Sequence, residues 1–491
     1  MPKKTLRTIE IDWMPDKSEK SPLHSQIVKY FIDKISKGDW LIGDQVPPQR
    51  VLAKAFGINR STLVNATSEL TSLGLLKSNF GHGTIIANNT WSLLVSSAPP
   101  NWRGYINSSI HSPNIPLIQT INKLEFQKGI TRLGTGELSP NLLTSDLMEK
   151  ALISTAKHPF SYIGPLGLPE LRRALSNYLP KYGINVPPSS ILIVSGSLQA
   201  LHLISIGMLK PNSTIFTEKF SYLKSLKIFQ SAKMNLQGIP MDDSGIIPTM
   251  IDTSNLSKGA SLLYTIPTFH NPTGIVMPTK RRIELLEWCT MNQIPIIEDD
   301  AYRELWFEDA PPLPLKSYDE NGIVLYMGSI SKSLAPGFRL GWLIGPEAVI
   351  DHLADIKMQV DYGANSISQW ALTEWIESGM YERHLKSLRV TLRERRDIAL
   401  KTLDTYFKNI ATWNFPTGGF YIWLKLKDDV NITRLFNLAI AQNILINPGS
   451  IYGYGDNQYI RISYSYAEIP ELIEGLKHLA TIIKALSKSG L

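Results

Sequence analysis

A single cysteine, Cys289, stands among 491 residues, so no intrachain disulfide can form. Such a chain fits a reducing compartment, and the cytoplasm is its expected location. Long apolar runs are also missing. None approaches the roughly 18 residues that a membrane helix needs, so no membrane association is expected. The opening MPKKTLRTIEIDW is basic but has no apolar segment behind it, and it does not read as a signal peptide. Internal repeats and low-complexity tracts are absent. With 43% hydrophobic and 19% charged residues, the composition excludes a disordered or collagen-like chain. The length predicts about three domains, or one large unit plus something small. The net charge is +7. The first ninety residues hold 12 Lys and Arg against 8 Asp and Glu, or +4, and the remaining 401 hold 38 against 35, or +3. An N-terminal basic excess suits nucleic-acid contact and equally suits ordinary surface charge.

The N-terminal pattern is more specific. Residues 21–36, SPLHSQIVKYFIDKIS, place Leu23, Ile27, Phe31 and Ile35 on one face of an amphipathic helix, with Ser21 as a cap and Pro22 in its first turn. A short second helix is expected at 48–56. A third, at 60–73, has Leu63, Ala66, Leu70 and Leu73 on one face and stops at Gly74. LLKSNFGHGTIIA then reads as two short strands around Gly81-His82-Gly83. Three short helices and a glycine-tipped hairpin describe a winged helix-turn-helix, although a small helical packing module would share the pattern. The third helix opens on Asn59-Arg60-Ser61-Thr62, in the turn that reads base edges or phosphates. Arg50 opens the second helix, Lys77 precedes the wing, and the glycines beside His82 let its tip approach a DNA backbone. The string PLHSQI–GDWLIGDQVPPQRVLAKAFGINRSTL–LGLLKSNFGHGT resembles the GntR-type winged helix over about 20–88. The usual Leu-Pro-Ser-x-Arg is replaced by Val46-Pro47-Pro48-Gln49-Arg50, which removes a small hydroxyl that could cap the helix or bind phosphate.

Residues 89–125 have no clear period and several prolines, and they read as a linker whose aromatics could dock on a surface. Beyond 126, strand-length apolar runs at 191–194, 215–217, 262–266, 295–298, 323–327 and 340–344 alternate with helical stretches at 197–209, 220–232 and 279–291. This predicts an α/β fold with a mostly parallel sheet covered on both faces. From about 380 a long basic helix, strands near 420–424 and 459–464 and a final helix near 468–487 suggest a smaller α+β subdomain. On the long helix Arg389, Arg393 and Arg396 are expected on one solvated face, and Cys289 in the core.

Five features follow one another at strand ends. Ser195-Gly196-Ser197, with Leu198 next, ends a strand and opens a helix, which makes an anion seat. Tyr222 could stack on a flat ring. Asn271, in His270-Asn271-Pro272-Thr273-Gly274, can donate to a phenolic oxygen. Asp299 can keep a pyridine nitrogen protonated, and Tyr302 can reach the same phenolic oxygen as Asn271. Finally Ser329, Lys332 and Arg339 offer an imine-forming amine beside a phosphate. Each alone is commonplace; together they supply a phosphate seat (Gly196, Ser197, Ser329, Arg339), a ring stacker, two phenolate donors, a pyridinium partner and a Schiff-base lysine. That is a full set for pyridoxal 5'-phosphate.

Order and spacing resemble the fold-type I aminotransferases over about 126–491. That resemblance implies that Arg461 binds a ligand carboxylate as a bidentate fork, that Tyr162 reaches the phosphate of the partner subunit, and that the site lies at a dimer interface. It implies no metal site. The whole chain resembles the MocR/GabR transcriptional regulators. The division expected is a winged helix at 1–88, a linker at 89–125 and an aminotransferase-like effector domain at 126–491, with its small subdomain at about 380–491. The family implies a head-to-tail homodimer that binds promoter DNA and responds to an amino effector or to pyridoxal phosphate itself. A working aminotransferase with an accessory DNA-binding domain is the alternative.

Overall fold

In the computed structural model the described residues are 8–19, 21–79, 83–87, 113–143, 145–254, 261–427, 430–453 and 458–488. Contacts divide the chain into two units, Met1–Ser108 and Ser109–Leu491.

The first unit is a winged helix. Helices α1 (Leu23–Ser36), α2 (Gln49–Ala55) and α3 (Arg60–Ser72) pack around Ile27, Phe31, Ile35, Leu52, Leu63, Ala66 and Leu70. Three strands, β1 (Gln45–Val46), β2 (Leu76–Asn79) and β3 (Gly83–Ile86), form an antiparallel sheet in the order β1-β3-β2. The two-residue β1 was not anticipated, because its pairing depends on the wing folding back. Trp13 also stacks on Tyr30, with centroids 4.7 Å apart, so the segment before α1 belongs to this core. Pro22 rather than Ser21 occupies the cap position of α1, without a side-chain cap bond.

The second unit is built on a seven-stranded sheet. Its strands are β4 (Ile191–Val194), β5 (Thr214–Glu218), β6 (Asn235–Ile239), β7 (Ser261–Thr265), β8 (Ile296–Asp299), β9 (Val324–Ser329) and β10 (Gly341–Ile344), in the order β4-β10-β9-β8-β7-β5-β6. Only β10 runs against the others. β4 and β8 are buried along their whole length, as strands sandwiched between helical layers must be. A smaller antiparallel sheet joins Ala411–Trp413, Tyr421–Leu426, Tyr459–Ser463 and Asn447–Pro448, and the helices Met380–Tyr406 and Ile469–Lys488 pack together beside it.

Three local expectations change. The helix expected at 220–232 is a 3-10 turn at Tyr222–Ser225 and a single turn at Ile228–Ser231; Ser221 Oγ accepts the Leu223 N–H at 3.3 Å and starts a turn instead. Inside the stretch 89–125, α4 (Pro116–Leu124) buries Ile118 and Ile121 in the same core as the small sheet. Of Arg389, Arg393 and Arg396 on the long helix only Arg393 is solvated, its side chain 54% exposed. Arg389 donates to the Glu304 carbonyl at 2.7 Å, and Arg396 pairs with Glu308 at 2.7 Å while buried. The carboxylates of Glu304, 3.1 Å from Arg389 Nη2, and of Glu308 compensate the guanidiniums for lost water and tie the loop after β8 to the helix.

Candidate functional site

The C-terminal ends of β4, β5, β7, β8 and β9 converge, and the chain leaves each end with the residue types singled out above. Gly196 caps the helix Ser197–Gly207 at φ +89°, and no side chain occupies the cap. That backbone conformation favours glycine, and a Cβ there would crowd Arg339 Nη2 at 3.0 Å. Arg339, itself at φ +51°, donates to the Ser195 carbonyl at 3.2 Å. Ser329 Oγ donates to the Leu340 carbonyl at 3.2 Å and accepts the Ser331 N–H at 3.1 Å. These groups form a polar, cationic end to the cleft.

Asp299, at the end of β8, is 5% exposed. Tyr264 donates its hydroxyl to Oδ2 at 2.8 Å, and the Ala301 N–H reaches Oδ1 at 3.3 Å. Burial pushes the carboxyl up to about 6, against the pull of both donors. An unfolded aspartate titrates near 3.9. The folded, cofactor-free protein therefore holds a proton that the unfolded chain releases between about 4 and 6, and ionising Asp299 through that window costs stability on the order of 2–3 kcal/mol. Asp299→Asn is expected to raise the melting temperature of the cofactor-free protein near neutral pH, with the gain shrinking towards about pH 4. Calorimetry at the two pH values checks this; a variant no more stable at neutral pH contradicts it.

Lys332 follows β9, and its Nζ donates to the Gly136 carbonyl at 2.5 Å. The Tyr302 hydroxyl shares a hydrogen bond with that of Tyr421 at 2.9 Å, both rings buried. Tyr222 sends its N–H to the Asn271 carbonyl at 3.2 Å, and burial pushes its phenol up to about 12. Arg461 is 4% exposed. Its Nη1 donates to Asn271 Oδ1 at 2.7 Å and its Nη2 to the Gly134 carbonyl at 2.6 Å. Its guanidinium lies 4.1 Å from the centroid of the Tyr421 ring. With Oδ1 committed to Arg461, the amide N–H groups of Asn271 are the ones that can donate into the cleft.

Gly196, Ser197, Leu198, Tyr222, Asn271, Asp299, Tyr302, Ser329, Lys332 and Arg339 line this one cleft. Arg461 lines an adjoining recess that shares Tyr222, Asn271, Lys332 and Arg339 with it. Tyr162 stands outside both, 84% exposed, edge-on to Tyr362 at 5.1 Å. Sequence reasoning missed Tyr264, Tyr421, Gly134 and Gly136. Tyr264 meets Asp299 through the pairing of β7 with β8, and Tyr421 sits opposite Ser463 in the small sheet. No local motif encodes such cross-strand registers. The cleft fits pyridoxal phosphate: it offers a side-chain-free helix start beside a guanidinium, a buried carboxylate, paired donors and an amine.

In the first unit Arg50, Asn59, Arg60, Ser61 and Lys77 are exposed, and Thr62 is half-buried. Asn59 occupies the cap position of α3 without a side-chain cap hydrogen bond, and among the described residues no hydrogen bond occupies its amide. Pro48 likewise caps α2 with no side-chain bond. His82 lies outside the described residues.

Residues 128–476 match the family "Aminotransferase class I and II", and residues 23–86 match "Bacterial regulatory proteins, gntR family". The chain is 48% identical over 479 residues to the HTH-type transcriptional regulator YisV of Bacillus subtilis, covering 97% of this chain and 99% of that one. It is 33% identical to the HTH-type transcriptional regulator NorG of Staphylococcus aureus, covering 90% and 99%. Among solved structures, the kynurenine aminotransferase of Pyrococcus horikoshii matches with a TM-score of 0.72 at 29% identity, over 77% of this chain and 96% of that one. The multiple substrate aminotransferase of Thermococcus profundus gives 0.73 at 27%, over 79% and 100%. Among the described residues, no helix is long and apolar enough to cross a membrane. The chain belongs to the MocR-type HTH transcriptional regulators, in which a GntR-type DNA-binding domain is fused to a class I/II aminotransferase-like domain that takes pyridoxal 5'-phosphate.

Proposed function

We propose that this protein is a cytoplasmic homodimer, arranged head to tail, that binds promoter DNA and changes its grip when an amino compound enters the recess beside Lys332. The observation that carries this reading is Arg461, a buried guanidinium bonded to Asn271 on the wall shared by the two cavities. Pyridoxal phosphate, when bound, supplies a carbonyl carbon for which primary amines compete and a phosphate that anchors it. Gly196, Ser197, Leu198, Ser329 and Arg339 hold that phosphate, and Tyr162 of the partner subunit completes the seat. Asp299 keeps a proton at the ring nitrogen, Asn271 and Tyr302 donate to the phenolic oxygen, and Tyr222 stacks on the ring.

Lys332 is the displaceable amine. When free it rests on the Gly136 carbonyl, two residues from the carbonyl that holds Arg461. Lysine release and carboxylate capture thus act on one short loop, 134–137. That loop continues N-terminally through α4 towards the DNA-binding unit. The effector domain proposed spans 126–491 with a small subdomain at about 380–491, joined by a linker at 89–125 to a winged helix at 1–88. A ligand with different affinity for two arrangements of this chain shifts DNA binding by the same free energy, typically about 1–3 kcal/mol.

Arg50, Asn59, Arg60, Ser61, Thr62, Lys77 and His82 form the DNA contacts in this reading. Arg60→Ala is expected to weaken promoter binding about tenfold and to lower the salt slope by about one. Anisotropy titrations over a salt series measure both; an unchanged slope removes Arg60 from the interface. For the effector, the test is titration of the holo-protein with a panel of amines and amino acids, watching its visible spectrum. A saturable change with at least one member supports sensing, and invariance to all rejects it. A working aminotransferase is the second reading, favoured by the cofactor-binding residue types that line the cleft and by the aminotransferases among its structural relatives. It requires repeated turnover of an amino donor with a keto acid.

A further inference from the structure

The recess that Arg461 lines has an acidic wall as well as a cationic one. Its volume is about 530 Å³, room for a ligand well beyond an amino group and a carboxylate. Glu137, next to the Gly136 that contacts Lys332, and Glu125 both line it. Glu137 is half-buried, and among the described residues no hydrogen bond or ion pair holds its carboxylate. Burial pushes its pKa up, against the pull of Lys332 and Arg132. Glu125 follows α4 and uses Oε1 to accept from Thr135 Oγ1 at 3.0 Å, which leaves Oε2 open. Arg461, which lines the same recess, is 4% exposed, and its Nε has no partner among the described residues.

A half-buried carboxylate without a partner costs free energy until a cation reaches it. Lys332 is the strongest cationic influence on Glu137, yet even when free it donates to the Gly136 carbonyl, and among the described residues it forms no ion pair with that carboxylate. The recess therefore offers a buried guanidinium that suits a carboxylate and, on Glu137, a carboxylate without an ion-pair partner among the described residues that suits a cation. We propose that Glu137, assisted by Glu125, binds a second, cationic group of the effector, so that the ligand class is a diamino monocarboxylic acid. This rests on the reading of the recess as the effector site. It selects among amino compounds by attraction at one end and by repulsion of ligands that carry a second carboxylate.

The test uses the full-length holo-protein and three ligands of matched chain length: ornithine, norvaline and glutamate. Calorimetry and the visible spectrum give their affinities. Ornithine is expected to bind about tenfold tighter than norvaline, the worth of one charge-assisted hydrogen bond, and glutamate is expected to bind weakest. Glu137→Gln is expected to bring the ornithine-to-norvaline ratio close to one, and Glu125→Gln to narrow it. Because the readout is a ratio, a general loss of folding or of cofactor does not imitate it. Norvaline binding as tightly as ornithine, or a ratio unchanged in both variants, overturns the proposal while leaving amino-acid sensing intact. If none of the three binds while cofactor and DNA binding persist, amino-acid sensing at this site fails and the proposal fails with it.

Discussion

Lys332→Ala leaves a protein that folds and binds DNA but shows no visible absorbance band when given excess pyridoxal phosphate. The lysine is half-buried just after β9 and among the described residues donates to the Gly136 carbonyl alone, so its removal deletes one hydrogen bond and no core packing. The stability cost is expected to be about 1 kcal/mol or less. The effect on the cofactor is far larger. The phosphate seat, Asp299 and the Asn271–Tyr302 pair remain, so weak non-covalent binding survives, but the covalent anchor is gone. Amines then no longer compete with a protein side chain, and the effector response disappears with the band. Absorbance spectra with a melting curve on the same sample check this. A variant that keeps the wild-type band removes Lys332 from the role.

Arg461→Ala produces the second large effect. The guanidinium is buried, bonded to Asn271 and Gly134 and faced by Tyr421. Truncating one partner of a desolvated charge pair costs about 2–5 kcal/mol, so an amino acid is expected to lose on the order of a hundredfold in affinity. The corresponding amine without a carboxylate loses far less, because it never used the fork. Arg461→Lys recovers only part of the loss, since a point charge does not reproduce two parallel N–H donors. Paired titrations of an amino acid and its decarboxylated analogue give the ratio. Equal losses for both contradict a carboxylate role and reduce Arg461 to a prop for Asn271.

The two variants also separate what was legible in the sequence from what was not. The residues lining the cofactor cleft were legible because each lies at the end of an apolar run, where a parallel sheet must expose its loops, and because helix starts and turns have local chemistry. The winged helix was legible because period, glycine stops and a polar first turn coincide in α3. What the sequence concealed lies in tertiary register. Tyr264 supports Asp299 from a neighbouring strand, and Tyr421 reaches Tyr302 across 119 positions. Neither has a local signature. The arginines at 389 and 396 have the spacing of a solvated face; only the loop carrying Glu304 and Glu308 reveals that Arg396 is buried and Arg389 half-buried. Similarly α4 is short, opening on Pro116, and it becomes a stable helix because Ile118 and Ile121 find an apolar surface. That helix and the loop 134–137 tie the recess to the chain leading to the DNA-binding unit.

The central claim is that ligand chemistry at Lys332 and DNA affinity are one linked equilibrium. Promoter affinity measured by anisotropy, with and without a saturating amine that alters the holo-protein's spectrum, tests it most directly. The account predicts a change of about 5- to 150-fold in the wild type, with an equal reciprocal change in ligand affinity when DNA is present, and no change in Lys332→Ala. Promoter affinity that is the same with and without the ligand, in a protein whose spectrum shows the ligand bound, would contradict it.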